Sequence, residues 1–233
     1  MALRIFDTDP DAKPQKREKR TYDNDYAFQF RSGMQRNRKP VSLANWRVLT
    51  GQPEVANAVA QLMGGSVDEF DPTKEMNLQV LTETNSVEIV IDGPDAIEDK
   101  LILWGPRGPI HECDGEFFLS PPEDKGNACG CPATLKERKR DAKKGTGPSP
   151  AINVTFRLAH DYDLGRGKLI ATAWSLAQVI HEVKNDLAAV GEPALCKLTI
   201  EHVEFELDGE TIKYKKPVIE VLGSYNAAIG EER

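Results

Sequence analysis

The chain has 233 residues, with 30 Lys and Arg against 37 Asp and Glu, a net charge of −7 and a mean hydropathy of −0.47. That length buries a core without disulfide staples, as one large domain or two small ones. The acidic balance argues against a general nucleic-acid binder, and no apolar run approaches the roughly 20 residues of a membrane span. Residues Met1 to Asp7 lack the apolar core of a secretion signal, so a cytoplasmic chain with reduced thiols and no membrane partner is expected.

The charge is distributed in blocks. Residues 1–47 carry +5 (11 cations, 6 acids) and residues 48–135 carry −12 (4 cations, 16 acids). Residues 136–147 return to +4 (6 cations, 2 acids), and 148–233 carry −4 (9 cations, 13 acids). The run Lys13-Pro-Gln-Lys-Arg-Glu-Lys-Arg20 has no apolar periodicity, which predicts a flexible basic arm over residues 1–28. Asp7, Asp9 and Asp11 alternate within it but lack the rigid support an ordered carboxylate site needs.

From residue 29 the elements alternate without repeats. Val55, Val59 and Leu62 share one face of a helix over 53–63 that Gly64-Gly65 ends. Val87, Ile89 and Ile91 alternate with Glu88 and Val90 as a half-buried strand, turned by Asp92-Gly93-Pro94. Leu101 to Trp104 form the next strand, and Gly105-Pro-Arg-Gly108 turns the chain into the segment carrying His111 and Cys113. Lys136 to Lys144 read as a short basic helix, followed by a linker at Gly145-Thr-Gly-Pro-Ser-Pro150. This divides an α+β region, 29–147, from a β-α-β hairpin region, 148–233, the two packing as one globular unit.

In the second region Ile152, Val154, Phe156 and Leu158 give the cleanest strand alternation. Leu176, Ile180, Val183, Leu187 and Val190 mark the clearest helix, closed by Gly191 and Pro193. A strand over 198–207 changes phase between Ile200 and Val203, which predicts a bulge near His202. Asp208-Gly209 is a hairpin turn from which Thr211 to Tyr214 pair back. Trp46, Trp104 and Trp174 are widely spaced and read as core, and Cys196 as a half-buried strand residue. The class is α+β, a largely antiparallel sheet with a few packed helices.

The sharpest chemical signal is His111-Glu-Cys113 with Cys129-Gly-Cys131-Pro132. Residues two apart on a strand point the same way, so His111 and Cys113 present an imidazole and a thiol to one point. A Cys-Gly-Cys turn supplies two more sulfurs, completing a four-ligand set of the kind zinc favours, which would staple a loop to the sheet. Both pairs are ligand-x-ligand, unlike the usual finger spacing, and three reduced thiols beside a glycine turn is the plain alternative.

Catalytic patterns are sparse. His160-Asp161-Tyr162-Asp163 offers a base or cation site, though turn chemistry accounts for its aspartates equally well. No Walker loop, dinucleotide fingerprint, nucleophile elbow or His-Glu-x-x-His helix occurs. His181 and His202 read as packing or surface residues.

Seven tracts resemble one phage family: Phe30-Arg-Ser-Gly33, Trp46 to Ala56, Asp92 to Ile97, Gly108 to Gly115, Cys129 to Pro132, Phe156 to Ala159 and Val221 to Asn226. They look like the recombination directionality factors of actinophages that use a large serine integrase, and the likeness runs from about Phe30 to Arg233. The resemblance implies a regulatory protein that does no bond chemistry. It would bind the cognate integrase, chiefly the coiled-coil-bearing C-terminal region, on att-site DNA, with little or no specific DNA binding of its own. Binding would switch the integrase from joining attP with attB to joining attL with attR, giving prophage excision. The likeness covers His111, Cys113, Cys129 and Cys131 only as a shared motif and transfers no catalytic residue. Arg138, Lys139 and Arg140, on the basic segment after the cysteine turn, are the expected partner contacts. The reading from a different class is a zinc-containing hydrolase or nucleic-acid-processing protein of phage replication, centred on the cysteines or on His160, Asp161 and Asp163. A non-specific single-strand binder is disfavoured by the acidic body.

Overall fold

The alternation of Ile152, Val154, Phe156 and Leu158 builds the central strand of the molecule. The computed structural model describes residues 26–37, 39–207 and 210–231. The basic run 13–20, the aspartates at 7, 9 and 11 and the Asp208-Gly209 turn lie outside them. The strands are β1 (Phe28–Arg36), β2 (Lys39–Thr50), β3 (Val67–Glu69), β4 (Leu78–Leu81), β5 (Ser86–Ile91) and β6 (Ile97–Gly105). They continue with β7 (Gly108–Cys113), β8 (Phe118–Ser120), β9 (Ser149–Leu158), β10 (Gly167–Ala171), β11 (Ala194–Leu207) and β12 (Glu210–Ser224). The α-helices among the described residues are α1 (Pro53–Met63), α2 (Leu135–Lys144), α3 (Trp174–Val190) and α4 (Tyr225–Glu231). The fold is α+β, as the sequence predicts.

The twelve strands form one sheet in the order β12-β11-β5-β9-β10-β1-β2-β4-β3, with β6, β7 and β8 branching from β9. One edge of β9 pairs with β10. The other is divided between β6, opposite Ser149 to Val154, and β5, opposite Arg157 and Leu158. Every pairing is antiparallel except β1 with β10. The predicted linker is a correction: Gly147, Pro148 and Pro150 are buried, and Ser149 already begins β9. Glycine and proline here cap α2 and enter a covered strand directly, so strands from either side of residue 147 share one sheet and one core.

Rings dominate that core. Phe30 lies 5.4 Å from Phe156 and 5.6 Å from Trp46, and Phe28 lies 5.9 Å from both Phe30 and Phe156. Phe28 is fully buried, so the arm predicted to run to residue 28 ends before it. Leu176, Ile180, Val183 and Leu187 bury one face of α3, and a Lys184–Asp99 ion pair ties that helix to β6. On α1 the buried positions are Val55, Ala56, Val59 and Met63; Leu62, expected to face inward, is exposed. Val90 is also buried, since β5 lies between β9 and β11 and Arg157 and Leu195 flank it in register. Cys196 is fully rather than half buried because it lies on the core-facing side of β11 with Ala194, Leu198 and Ile200.

The bulge expected near His202 is absent. His202 pairs regularly with Lys215, and the register shift falls between Leu195 and Cys196, opposite Gly223 at φ 146°. β5 accompanies β11 only from Ala194 to Thr199, so beyond that point the β11–β12 ribbon has no third strand and its alternation is not tied to burial.

Gly167 sits directly beneath the Phe28 ring, and an added Cβ would collide with three of its carbons. Gly167→Ala is expected to cost about 1–3 kcal/mol through overpacking. Denaturant unfolding followed by tryptophan fluorescence measures it.

Candidate metal centre

The period-2 geometry of β7 puts His111 and Cys113 on one face, opposite Leu103 and Leu101 of β6. Across the β7–β8 turn, Asp114 Oδ1 accepts the backbone N–H groups of Glu116 and Phe117, each at 2.8 Å. Those bonds hold the exposed Asp114 carboxyl below its usual range. The loop then returns, fixed by Cys129 N–H donating to the Glu116 carbonyl at 2.8 Å. Gly130, at φ 69°, makes the left-handed turn that brings Cys129 and Cys131 back to the strand.

The ligand atoms of His111, Cys113, Cys129 and Cys131 all lie within 4.8 Å of one another. Cys113 Sγ and Cys131 Sγ are 3.8 Å apart, and Cys131 Sγ is 3.3 Å from His111 Nε2. A tetrahedral site with metal–sulfur bonds of about 2.3 Å has S···S edges of about 3.8 Å, so the spacing suits a metal directly. It is far beyond the roughly 2.05 Å of a disulfide. Cys113 and Cys129 are buried, while His111 and Cys131 are half-buried, with His111 lying against Phe118 at 4.7 Å between ring centroids. This donor set of one imidazole and three thiols is compatible with a structural metal ion.

Electrostatics agree with that reading. Burial lowers the His111 pKa, which keeps its imidazole neutral and able to coordinate. Burial pushes the Cys113 thiol up to about 12, and raises Cys131 as well. Both thiols are therefore protonated in the metal-free protein, and a bound cation reverses this because a coordinating thiol is deprotonated outright. Cys196 stands apart: burial raises it to about 12, its Sγ contacts the Ala194 carbonyl, and it belongs to no cluster of three or more metal-ligand residues among the described ones.

The basic helix α2 begins just after the cysteine turn, at Leu135. Thr134 caps it, accepting from Glu137 N–H at 3.3 Å and donating to Glu137 Oε2 at 2.7 Å. Gly145 ends it in the left-handed conformation. Arg138, named in sequence as a partner contact, is half-buried: its Nε donates to the Pro132 carbonyl at 2.6 Å and its Nη2 to the Gly115 carbonyl at 2.8 Å. It thereby joins the helix, the cysteine turn and the β7–β8 turn. Lys139 and Arg140 are exposed, and Arg140 is ion-paired with Asp141 at 2.9 Å. Neither the Arg138 strut nor the Asp114 turn follows from motif reading, although Cys113-Asp-Gly115 carries the signal of an Asx turn.

The other sequence candidates lie elsewhere. His160, Asp161 and Asp163 belong to an exposed turn around the 3₁₀ segment Tyr162–Leu164, where His160 Nε2 faces Glu88 at 3.2 Å. His181 is exposed on α3, and His202 Nε2 reaches the Ala44 carbonyl at 3.0 Å. Trp46 is core and Trp174 half-buried, but Trp104 is 65% exposed on the β6–β7 hairpin, with Ile110 at 67% beside it. That corrects the reading of Trp104 as core. The hairpin extends past the stretch of β6 that β9 covers, so its outer side chains have nothing to pack against.

Protein purified without chelator is expected to carry close to one metal ion per chain, and Cys131→Ser to lose most of it, as read by elemental analysis. Coordination displaces protons from the raised thiols, so retention should fall as pH is lowered below neutrality and proton release should accompany reloading. The chain matches no protein-family model and no solved structure, which leaves the chemistry of this centre resting on its own residues.

Proposed function

We propose that this protein is a recombination directionality factor for a large serine integrase. The observation that carries the reading is the sequence likeness itself, spread over seven separate tracts from Phe30 to Asn226. Two of those tracts, Gly108 to Gly115 and Cys129 to Pro132, supply all four residues of the histidine–cysteine cluster and the turn that shapes it. In this reading the cluster holds zinc, the ion suited to a closed sulfur-rich tetrahedral set, and ties the β8–α2 loop, with α2 directly after it, to β7. Four protein ligands leave no open coordination position, which favours a structural zinc over the hydrolase alternative.

The surface offered to the integrase is the β6–β8 arm with α2. It includes exposed Trp104 and Ile110 on the β6–β7 hairpin and exposed Lys139 and Arg140 on α2, apolar anchors and cations of the kind that docking surfaces use. Such a partner needs no chemistry of its own. By binding the excisive arrangement of the integrase more tightly it shifts the outcome, and about 3 kcal/mol of differential affinity changes the ratio of products by roughly a hundredfold. The protein acts in the host cytoplasm, where the integrase and its DNA meet.

The test is recombination in vitro with purified cognate integrase on attL × attR and attP × attB substrates. Activation of the first and suppression of the second supports the reading, and no change in either reaction with active integrase rejects it. Lys139→Glu/Arg140→Glu and Trp104→Ala should each weaken integrase capture without lowering the melting temperature. Unchanged capture moves the docking surface elsewhere.

A further inference from the structure

Strands β1 and β2 lie in a stretch of sequence, residues 26–53, that contains no Asp or Glu but five cations, Arg31, Arg36, Arg38, Lys39 and Arg47. In a chain with 37 acidic residues this is a local inversion of charge. The fold turns it into an open groove of about 980 Å³ across β1 and β2, lined also by Phe70, Lys74 and Lys215. Arg31 and Arg47 line its floor, and no aspartate or glutamate among the described residues does.

The two arginines are direct cross-strand partners in the β1–β2 register. Like charges placed opposite each other destabilise a sheet, and no carboxylate among the described residues is paired with either here. Among the described residues Arg31 Nη2 donates to Gln29 Oε1, at 3.4 Å, and Arg47 Nε donates to Gln79 Oε1 at 2.8 Å. The Arg47 guanidinium also lies over the Phe70 ring, 4.6 Å from its centroid. Burial, and for Arg31 the neighbouring Arg47 charge, lowers the affinity of both groups for their protons. By contrast, the partly buried cations Lys100, Lys184 and Lys216 each face a carboxylate. Lys74, at the rim, is ion-paired with Asp71 at 3.2 Å. The floor is thus a pair of forked cations held together by the sheet at a cost, with neutral amides steering them and an aromatic ring alongside.

We propose that this groove binds a phosphate-bearing ligand, with Arg31 and Arg47 gripping the phosphate oxygens and Phe70 flanking the attached base or sugar. Two adjacent guanidinium forks suit the several oxygens and multiple charge of phosphate, and the ring supplies the stacking surface that nucleotides use. An acidic peptide matches less well, because single carboxylates would leave the paired forks underfilled. The proposal stands independently of the integrase reading.

Fluorescence anisotropy with the full chain at low salt tests it, using a labelled nucleoside triphosphate, a labelled single strand, the same sequence as duplex, and labelled polyglutamate. At least one phosphate probe should bind, with affinity falling as salt rises. R31Q and R47Q should each weaken that binding by about tenfold or more. Their melting temperatures should match or exceed the parent's, since each removes half of a repulsive pair. R47K keeps the charge but loses the fork, and should bind more weakly than the parent while melting like it. Binding of the triphosphate that displaces the oligonucleotides identifies a nucleotide site, and binding of an oligonucleotide alone identifies a backbone-tracking groove; either supports the proposal. It is overturned if no phosphate probe binds at low salt, if R31Q/R47Q binds like the parent, if polyglutamate is preferred, or if R31Q and R47Q melt well below the parent.

Discussion

The molecule depends on β9 having two partners along one edge. Residues 149–154 hydrogen-bond to β6 and residues 157–158 to β5, while β10 occupies the opposite edge. Splitting an edge in this way forces the sheet to fork, and each branch then carries a different surface. One branch leads through β6 and β7 to the cysteine cluster, the other through β5 to the long β11–β12 ribbon. The four-ring cluster under β1, β2 and β9 fixes the fork in place, because Phe156 of β9 packs on both Phe28 and Phe30 of β1. Most of the remaining geometry follows from that junction.

What sequence reading could see was set by whether an element had a neighbour that enforced its periodicity. Ile152 to Leu158 and Leu176 to Leu187 lie against the core along their whole length, so burial filters every position and the pattern is clean. His111 and Cys113 were legible because a strand's period of two is independent of tertiary context. Trp104 was misread because aromatic side chains are usually core, and no periodicity reveals that a hairpin overruns its sheet. The phase change near His202 has the same origin: without a third strand there is no covered face to keep. Arg138 was read as a partner contact since its two carbonyl partners, at Pro132 and Gly115, come together only in three dimensions.

Charge is handled in two contrasting ways. In the cysteine arm three cations have close partners: Arg138 two backbone carbonyls, Arg140 the Asp141 carboxylate and Lys100 that of Glu112. Across β1 and β2 the arginines face each other, with two amides and the Phe70 ring beside them and no paired carboxylate among the described residues. The net charge of −7 conceals this difference entirely, and so does a tally by blocks of sequence. Only the cross-strand register shows that Arg31 and Arg47 are neighbours.

The ribbon formed by the outer halves of β11 and β12 has a consequence for motion. From Glu201 outward, the described backbone of each strand pairs only with the other, a His202 side-chain contact to the Ala44 carbonyl aside, and Phe205 and Tyr214 meet edge-on at 6.3 Å with both rings exposed to solvent. At its base Ile200 is fully buried and pairs with buried Pro217. The amides beyond that point are protected by the ribbon's own bonds alone, so they exchange with solvent through local opening at a free energy well below that of global unfolding. The ribbon is a separate cooperative unit, able to fray and re-form while the forked sheet beneath it stays closed.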